Sequence, residues 1–171
     1  MQDVIVLKHI VTPVGGLVLG ACGGRLCLCD WDVAGRRERV GGRVARGLGV
    51  EMREGDCEVI HRAEGELEEY FGGVRRCFGV QLAFVGTEFQ QRVWRALLEI
   101  DYGRCVSYGE LAGRIGCASS VRAVANANGA NALSIFVPCH RVVGADGRLT
   151  GYAGGLDAKR KLLELERGTL F

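Results

Sequence analysis

The chain has 171 residues, 48% of them hydrophobic and 25% charged, which suits a globular protein of one large domain or two small ones. Its uninterrupted apolar runs are only a few residues long, which excludes a segment that spans a bilayer. The formal net charge of +2 does not by itself indicate a class of partner, and the N-terminus lacks the basic start and long apolar core of a signal peptide.

The first thirty residues are predicted to form an antiparallel meander. A β-branched run begins at Val4, and apolar segments follow at 17–19 and 26–31. Turn-forming sequences at 12–16 and 22–25 separate these segments. We therefore expect the N-terminal part to be built around an antiparallel sheet.

Residues 33–50 are rich in Gly and Arg. This composition predicts a loop or a weak, mobile helix. Its basic side chains could contact nucleic acid, but a solvated loop is the simpler interpretation.

A helix is predicted over residues 62–72, where apolar side chains recur at helical spacing before a Gly-Gly stop. These side chains are Ala63, Leu67, Tyr70 and Phe71. Residues 77–84 alternate in hydrophobicity and are predicted to be extended. We place a domain boundary near Gly86, which gives an N-terminal α/β domain at 1–85 and a C-terminal domain at 86–171.

The second half of the chain is predicted to be helical. Thr87 can cap a helix with one apolar face. The members of this face are Phe89, Val93, Trp94, Leu97 and Leu98. Ser107 and Glu110 have capping-box spacing and open a short helix through Ile115.

A second short helix is predicted over residues 121–128, capped by Ser119 or Ser120. Only the tight turn at 116–118 separates it from the helix before it. Two short helices joined in this way are a helix-turn-helix candidate.

Residues 111–145 contain no Asp or Glu, although Arg114, Arg122, His140 and Arg141 lie among them. Carboxylates would repel phosphates, so this pattern is typical of a surface that faces nucleic acid. A mostly buried apolar stretch with few charges would give the same pattern, and both interpretations stay open.

The most informative stretch is residues 136–143 (FVPCHRVV), which overlaps a short apolar segment at 133–137 that is predicted to be extended. Cys139 lies beside His140 and Arg141, an electropositive setting that favours the nucleophilic thiolate. The proline before the cysteine fixes one backbone torsion.

Cys139 and His140 would point to opposite faces of an ideal strand, so a turn or a bridging water must bring them together. A third group should then orient the imidazole, and Glu166 is our candidate. Glu166 lies on a last helix predicted over 157–166, with Leu162, Leu163 and Leu165 near its apolar side. A buried structural cysteine beside a packed histidine is the alternative for Pro-Cys-His alone.

With no export signal, the eight cysteines are expected to be free thiols in a reducing, cytoplasmic compartment. Four are predicted to pack as small hydrophobes: Cys57, Cys77, Cys105 and Cys117. Cys22, Cys27 and Cys29 lie close together and could form a zinc site with Cys77 or His61. They do not follow a paired C-x-x-C pattern, so we predict packing without metal and keep zinc as the alternative.

Together these motifs resemble the O6-alkylguanine-DNA alkyltransferase family, and the likeness runs almost without gaps over residues 86–166. Residues 137–143 (VPCHRVV) resemble the family's active-site signature. The other matching segments are 86–90 (GTEFQ), 93–94, 102–103, 106–109 (VSYG), 111–112, 122–124, 126–131, 151–156 (GYAGGL) with Lys159, 162–163 and, more weakly, 69–73 (EYFGG).

The resemblance implies that the alkylated nucleotide is rotated out of the duplex, because a base inside the stack cannot be reached by a side-chain nucleophile. Arg122 matches the residue that enters the gap, and Tyr108 matches the aromatic that crowds the flanking phosphate. The recognition helix, which includes Ala123 and Ala127, suits the minor groove, where small residues allow close approach and readout is degenerate. Without the resemblance, a solvated arginine and a packed tyrosine would be the simpler interpretations.

The resemblance also implies that Cys139 attacks the alkyl carbon in line and displaces the guanine oxygen. His140, through a water, and Glu166 match the relay that removes the thiol proton. The product is a thioether, so each molecule acts once, and no cofactor is required.

Further residues match the family's substrate pocket. Tyr152 matches a residue near the leaving oxygen, and the Ala153 amide could donate to that oxygen, although many relatives carry a hydroxyl residue there. The carbonyls of Cys139 and Val142 match acceptors for the exocyclic amine of the base. Asn131 matches the hinge that ties the recognition helix to the active-site loop.

The expected fold is a two-domain α/β chain with a small, ribonuclease-H-like N-terminal domain around an antiparallel sheet and a helical C-terminal domain with the helix-turn-helix. The expected protein is a DNA-repair methyltransferase that acts once, as a monomer, on double-stranded DNA with alkylated bases and not at a membrane. A non-catalytic module that binds damaged DNA and a cysteine hydrolase are the alternatives. The sequence leaves open the accepted alkyl sizes and whether O4-alkylthymine competes with O6-alkylguanine.

Overall fold

Four strands near the N-terminus form one sheet in this computed structural model, which describes residues 3–168. They are β1 (Val4–Thr12), β2 (Gly15–Cys22), β3 (Arg25–Trp31) and β4 (Glu51–Glu54). The strand order is β3-β2-β1-β4, with antiparallel β1–β2 and β2–β3 pairs, which confirms the predicted meander. β4 pairs in parallel with β1, so the sheet is mixed rather than wholly antiparallel, because the chain reaches this edge through a helical segment and not through a hairpin.

Residues 33–50 do not form the solvated loop expected from their composition. A π-helical turn at Arg37–Gly41 runs directly into α1 (Gly42–Leu48). Three apolar side chains of this segment are buried: Val40, Val44 and Ala45. Their burial outweighs the low helix propensity of the glycines around them.

α2 (Glu58–Phe71) contains the predicted helix and ends before Gly72, as expected. Its buried side chains include Ala63, Leu67 and Tyr70. Residues 77–84, expected to be extended, form only one parallel bridge, between Leu26 and Leu82. This bridge agrees with the expected extended conformation around residue 82, and the other residues of the segment belong to no regular strand.

The cysteines are less uniformly packed than predicted. Cys27 and Cys29 are buried, but Cys77 is exposed. The other three expected in the core are half-buried: Cys57, Cys105 and Cys117. Within residues 3–168, no group of three or more His, Cys, Asp or Glu side chains is arranged to hold a metal ion, so the structure gives the zinc alternative no support.

The chain divides into two compact units, Met1–Gly86 and Thr87–Phe171. The second unit contains α3 (Glu88–Leu97), β5 (Val106–Ser107), α4 (Tyr108–Arg114), α5 (Val121–Gly129), β6 (Val142–Val143) and α6 (Leu156–Arg167). β5 and β6 form a parallel pair, and a single 3₁₀ turn at Ala118–Ser120 leads into α5. Every helix within the described residues is too short or too polar to cross a lipid bilayer.

Two of the three predicted helix caps, those of α3 and α4, are confirmed, and the cap predicted for α5 is not formed. Thr87 caps α3 in a complete capping box. Ser107 caps α4 by accepting a hydrogen bond of 3.0 Å from the Glu110 amide. Ser120 precedes α5 but makes no side-chain capping bond. Leu98, predicted on the apolar face of α3, is 47% exposed because it lies beyond the last turn of that helix.

Residues 133–137, expected to be extended, form a tight turn. The Val137 amide donates to the Leu133 carbonyl at 2.8 Å. Ile135 has φ of 74°, a left-handed conformation that a β-branched residue rarely adopts. Such backbone strain persists only where surrounding contacts impose it, and Ile135 is buried. Tertiary packing therefore sets the conformation of the segment that leads to Cys139.

Candidate active site around Cys139

Cys139 opens a single 3₁₀ turn, Cys139–Arg141, which follows Pro138 and leads into β6. Successive side chains of a 3₁₀ turn are about 120° apart, so Cys139 and His140 do not point to opposite faces as they would on a strand. The sequence required a turn or a water here, and the structure provides the turn. The Cys139 side chain is nearly buried, with 6% exposure.

The imidazole of His140 is held in place by Glu166, a residue of α6. Its Nε2 lies 2.8 Å from Oε1 of Glu166, and both side chains are fully shielded from solvent. Burial lowers the pKa of His140 because it penalises the imidazolium, and the Glu166 carboxylate offsets only part of this. The other ring nitrogen, Nδ1, is buried and has no hydrogen-bond partner within residues 3–168. A neutral imidazole with one nitrogen committed to Glu166 suits a proton acceptor.

Arg141 donates hydrogen bonds to both oxygens of the Glu166 carboxylate. Its Nε donates to Oε2 of Glu166 at 3.0 Å, and its Nη2 donates to Oε1 at 2.9 Å. Its Nη1 donates to the Ile100 carbonyl at 2.6 Å. Burial raises the pKa of the Glu166 carboxyl, but His140 and Arg141 outweigh burial, and the pKa lies well below its usual range. Glu166 is therefore a stable carboxylate that orients the imidazole.

Sequence reasoning missed this role of Arg141. It identified the arginine beside Cys139 as a local positive charge, whereas the structure commits that charge to Glu166, 25 residues away. The only signal in the sequence was the adjacency of His140 and Arg141, and nothing local indicated their common partner.

Gly103 completes the surroundings of the carboxylate. Its amide donates to Oε2 of Glu166 at 3.4 Å, and its φ is 78°. A Cβ at this position would lie 3.2 Å from the Glu166 carbonyl oxygen. Both the backbone conformation and the close approach therefore require glycine here.

Asn131 ties the end of α5 to the segment before Cys139, as its match to the hinge residue predicted. Its Nδ2 donates to the Val137 carbonyl at 2.9 Å, and its Oδ1 accepts from the Leu133 amide at 2.9 Å. Asn131 is buried, so both bonds are shielded from competing water. The amide thus closes the tight turn at 133–137 from both ends.

Lys159 is a second residue whose place in the site was missed. It is fully buried, and its Nζ donates to the Thr150 carbonyl at 2.8 Å. Burial lowers the pKa of Lys159, and the Cys139 and Cys105 thiols partly offset this effect. The signal in the sequence was its position three and four residues before Leu162 and Leu163, on the apolar side of α6.

The residues matched to the substrate pocket lie on three segments. Tyr108 is the half-buried first residue of α4, and the Thr150 hydroxyl donates to its hydroxyl at 3.3 Å. Val142 is buried in β6, where it pairs with β5. Tyr152 and Ala153 are half-buried just before α6. The Tyr108–Thr150 contact joins α4 to the segment that carries Tyr152 and Ala153.

The residues of α5 that were expected to contact DNA differ in their exposure. Arg122 and Ala123 are exposed in its first turn. Ala127 is 3% exposed, and its carbonyl accepts from the Trp94 indole at 2.9 Å. The C-terminal half of α5 packs on α3, so Ala127 lies in the core and not on the surface where it was expected.

Comparison with known proteins agrees with the resemblance drawn from the sequence. Residues 88–168 match a family model described as the DNA-binding domain of 6-O-methylguanine DNA methyltransferase. A methylated-DNA–protein-cysteine methyltransferase of Mycobacterium tuberculosis is 56% identical over 112 residues, which cover 66% of this chain and 68% of the relative. The enzyme of the same name from Mycobacterium leprae is 43% identical over 161 residues, or 94% of this chain and 91% of the relative.

Solved structures extend the similarity to the fold. The crystal structure of Mycobacterium tuberculosis OGT in complex with DNA has a TM-score of 0.81 and 41% identity, and covers 95% of this chain and 93% of that chain. The O6-methylguanine-DNA methyltransferase of Pyrococcus kodakaraensis has a TM-score of 0.68 and 26% identity, covering 95% and 98%. Both similarities span nearly the whole chain.

Proposed function

This chain belongs to the methylated-DNA–protein-cysteine methyltransferase family, and from that premise we propose that it repairs DNA by moving an alkyl group from O6 of guanine onto its own Cys139. The observation that carries the proposal is the buried pair of His140 and Glu166. His140 follows Cys139 in the same 3₁₀ turn, and Glu166 lies on α6. This arrangement supplies a nucleophile, a base and an orienting carboxylate in one place.

The proposed reaction is a single displacement. His140 takes the thiol proton of Cys139 through a bridging water, while Glu166 keeps the imidazole in place. The thiolate forms a bond to the alkyl carbon as the bond from that carbon to guanine O6 breaks, and the guanine leaves with the electron pair. The Ala153 amide and Tyr152 are proposed to stabilise the oxygen that gains this charge. The thioether is stable, so one protein molecule repairs one base and needs no cofactor.

The proposed partner is double-stranded DNA that carries an alkylated base, bound by a monomer. We propose that α4 and α5 act as a helix-turn-helix, with Arg122 and Ala123 facing the minor groove. Their exposure on the first turn of α5 supports this, whereas the burial of Ala127 removes it from the proposed contact surface. We further propose that residues 1–85 are a ribonuclease-H-like domain and that residues 86–171 hold the repair activity.

Single-turnover labelling tests this function. The protein is incubated with excess duplex DNA that is isotopically labelled on the methyl group of O6-methylguanine. We expect one label per molecule, located on the Cys139 peptide by mass spectrometry, and no label on a Cys139→Ala variant that still binds the duplex. Binding without label would indicate a damage-recognition module, and release of more than one labelled product per molecule would indicate a hydrolase; either outcome would overturn the proposal.

A further inference from the structure

We propose that Thr150 is a positioning residue that sets the orientation of Tyr108 for base rotation, an inference that rests on the proposed function. Thr150 lies in the segment between β6 and α6, and neither the motifs nor the chemistry of the thiol assigns it a role. It makes two contacts with residues of the site, one through its main chain and one through its side chain.

The main-chain contact fixes where residue 150 lies. The Lys159 ammonium donates to the Thr150 carbonyl at 2.8 Å. Lys159 is fully buried and forms no ion pair with a carboxylate within the described chain, so this hydrogen bond is costly to lose. The backbone of an otherwise exposed segment is therefore anchored to the interior of α6.

The side-chain contact links Thr150 to α4. The Thr150 hydroxyl donates to the Tyr108 hydroxyl at 3.3 Å. Tyr108 is the first residue of α4, and its neighbour Ser107 holds the helix start through the Glu110 amide. The backbone of Tyr108 is thus fixed at the helix start, while Thr150 restrains the far end of the ring.

The family resemblance implies that Tyr108 crowds the phosphate beside the damaged nucleotide, and this restraint matters most in that step. A ring that is already oriented loses less conformational freedom when DNA binds. At 3.3 Å the contact is longer than the usual spacing of two hydroxyls, so the expected effect is no larger than that of one ordinary hydrogen bond. Thr150→Val removes the hydroxyl and keeps the shape of the side chain, while the carbonyl that Lys159 needs is unchanged.

The test measures single-turnover alkylation of Cys139 by duplex O6-methylguanine DNA and, separately, by the free base O6-methylguanine. For Thr150→Val we expect roughly two- to tenfold slower reaction with the duplex, the loss that one hydrogen bond gives, and an unchanged rate with the free base. Thr150→Ser should restore the duplex rate. Rotation of the base, followed by 2-aminopurine fluorescence beside the lesion, should slow in parallel.

A double-mutant cycle with Tyr108→Phe identifies the contact itself. If the two hydroxyls act together, Thr150→Val should cause no further loss in the Tyr108→Phe background. An equal duplex rate for Thr150→Val and the wild type, or equal slowing on the duplex and the free base, would overturn the role of Thr150. A wild-type protein that gains no methyl group at all would instead overturn the proposed function, so the two failures are distinguishable.

Discussion

The imidazole of His140 and the carboxylate of Glu166 meet at 2.8 Å with no solvent exposure on either side chain. Arg141 binds the same carboxylate, which keeps Glu166 charged although it is buried. Because the lowered pKa of His140 keeps its imidazole neutral, the pair can accept a proton but does not carry a permanent imidazolium.

Glu166→Gln should slow alkylation of Cys139 on both the duplex and the free base, because the imidazole loses its orienting charge. We expect a loss of roughly ten- to a hundredfold in the single-turnover rate constant. The variant should also be less stable by up to about 3–5 kcal/mol, since Arg141 keeps a buried charge without a counter-charge. Urea unfolding measures this second effect.

Glu164→Gln is the matched control on the same helix, because Glu164 pairs with Arg160 at the surface. Its rate and unfolding free energy should stay close to those of the wild type. Wild-type kinetics in Glu166→Gln would contradict the assignment of the carboxylate as the orienting group.

Asn131→Ala should destabilise the C-terminal unit and slow alkylation together. The substitution leaves the buried Leu133 amide without its partner and removes one of the two donors to the Val137 carbonyl, which still accepts from the Cys139 amide. We expect a loss of roughly 2–4 kcal/mol in the free energy of unfolding, measured by urea denaturation. Asn126→Ala, at an exposed position of α5, should change stability by less than about 0.5 kcal/mol. Equal stability of the two variants would refute the hinge role.

We propose that Arg122 fills the gap left by the rotated base, so Arg122→Ala should slow repair of duplex DNA by more than about tenfold. The same variant should react with the free base O6-methylguanine at the wild-type rate, since no base has to be rotated. Arg160→Ala, an exposed arginine on α6, controls for the loss of one positive charge. If both substrates slow equally, Arg122 supports the fold and not the rotation of the base.

The stability of the N-terminal sheet should depend on pH through His9. Its Nδ1 lies 2.8 Å from Asp32 and its Nε2 lies 3.3 Å from Glu54, which also binds Arg37. The hydrogen bond to Asp32 raises the pKa of His9, burial opposes this, and Glu54 adds to the increase. A raised pKa in the folded state gives stability that is complete below the ordinary value of 6.5 and is lost as pH rises through the folded pKa.

Urea unfolding of the wild type and of His9→Gln at about pH 5.5 and about pH 8.5 measures this effect, on either side of the ordinary histidine pKa. The wild type should exceed the variant by more at the lower pH. Asp32→Asn should reduce that pH dependence, because it removes the larger of the two attractions. A difference in the free energy of unfolding that is independent of pH would show that protonation of His9 does not stabilise the folded state.

Local patterns were sufficient where the physics is local. Thr87 and Ser107 were predicted as helix caps because a capping side chain and its amide lie three residues apart in sequence. The meander of β1, β2 and β3 followed from turn residues and alternating hydrophobicity. For the segment at 33–50 a loop was preferred over the helix that forms, because its glycines and arginines concealed the buried stripe of Val40 and Val44.

The left-handed Ile135 could not be predicted for a different reason. No local preference favours positive φ in a β-branched residue, so only the bonds of Asn131 around the turn and the packing of the buried side chain impose it. The burial of Ala127 also came from packing, because Ala123 and Ala127 share one helix face until α3 covers the second of them.

By itself the sequence determined the candidate nucleophile Cys139, its histidine neighbour and the family to which the chain belongs, because these are encoded in contiguous motifs between residues 86 and 166. Only the tertiary structure decided that Arg141 donates to Glu166. It also decided that the buried Lys159 donates to the Thr150 carbonyl and that the Thr150 hydroxyl donates to Tyr108. These contacts join residues 9 to 42 positions apart. Their energies depend on burial and distance in three dimensions, which no spacing along the chain specifies.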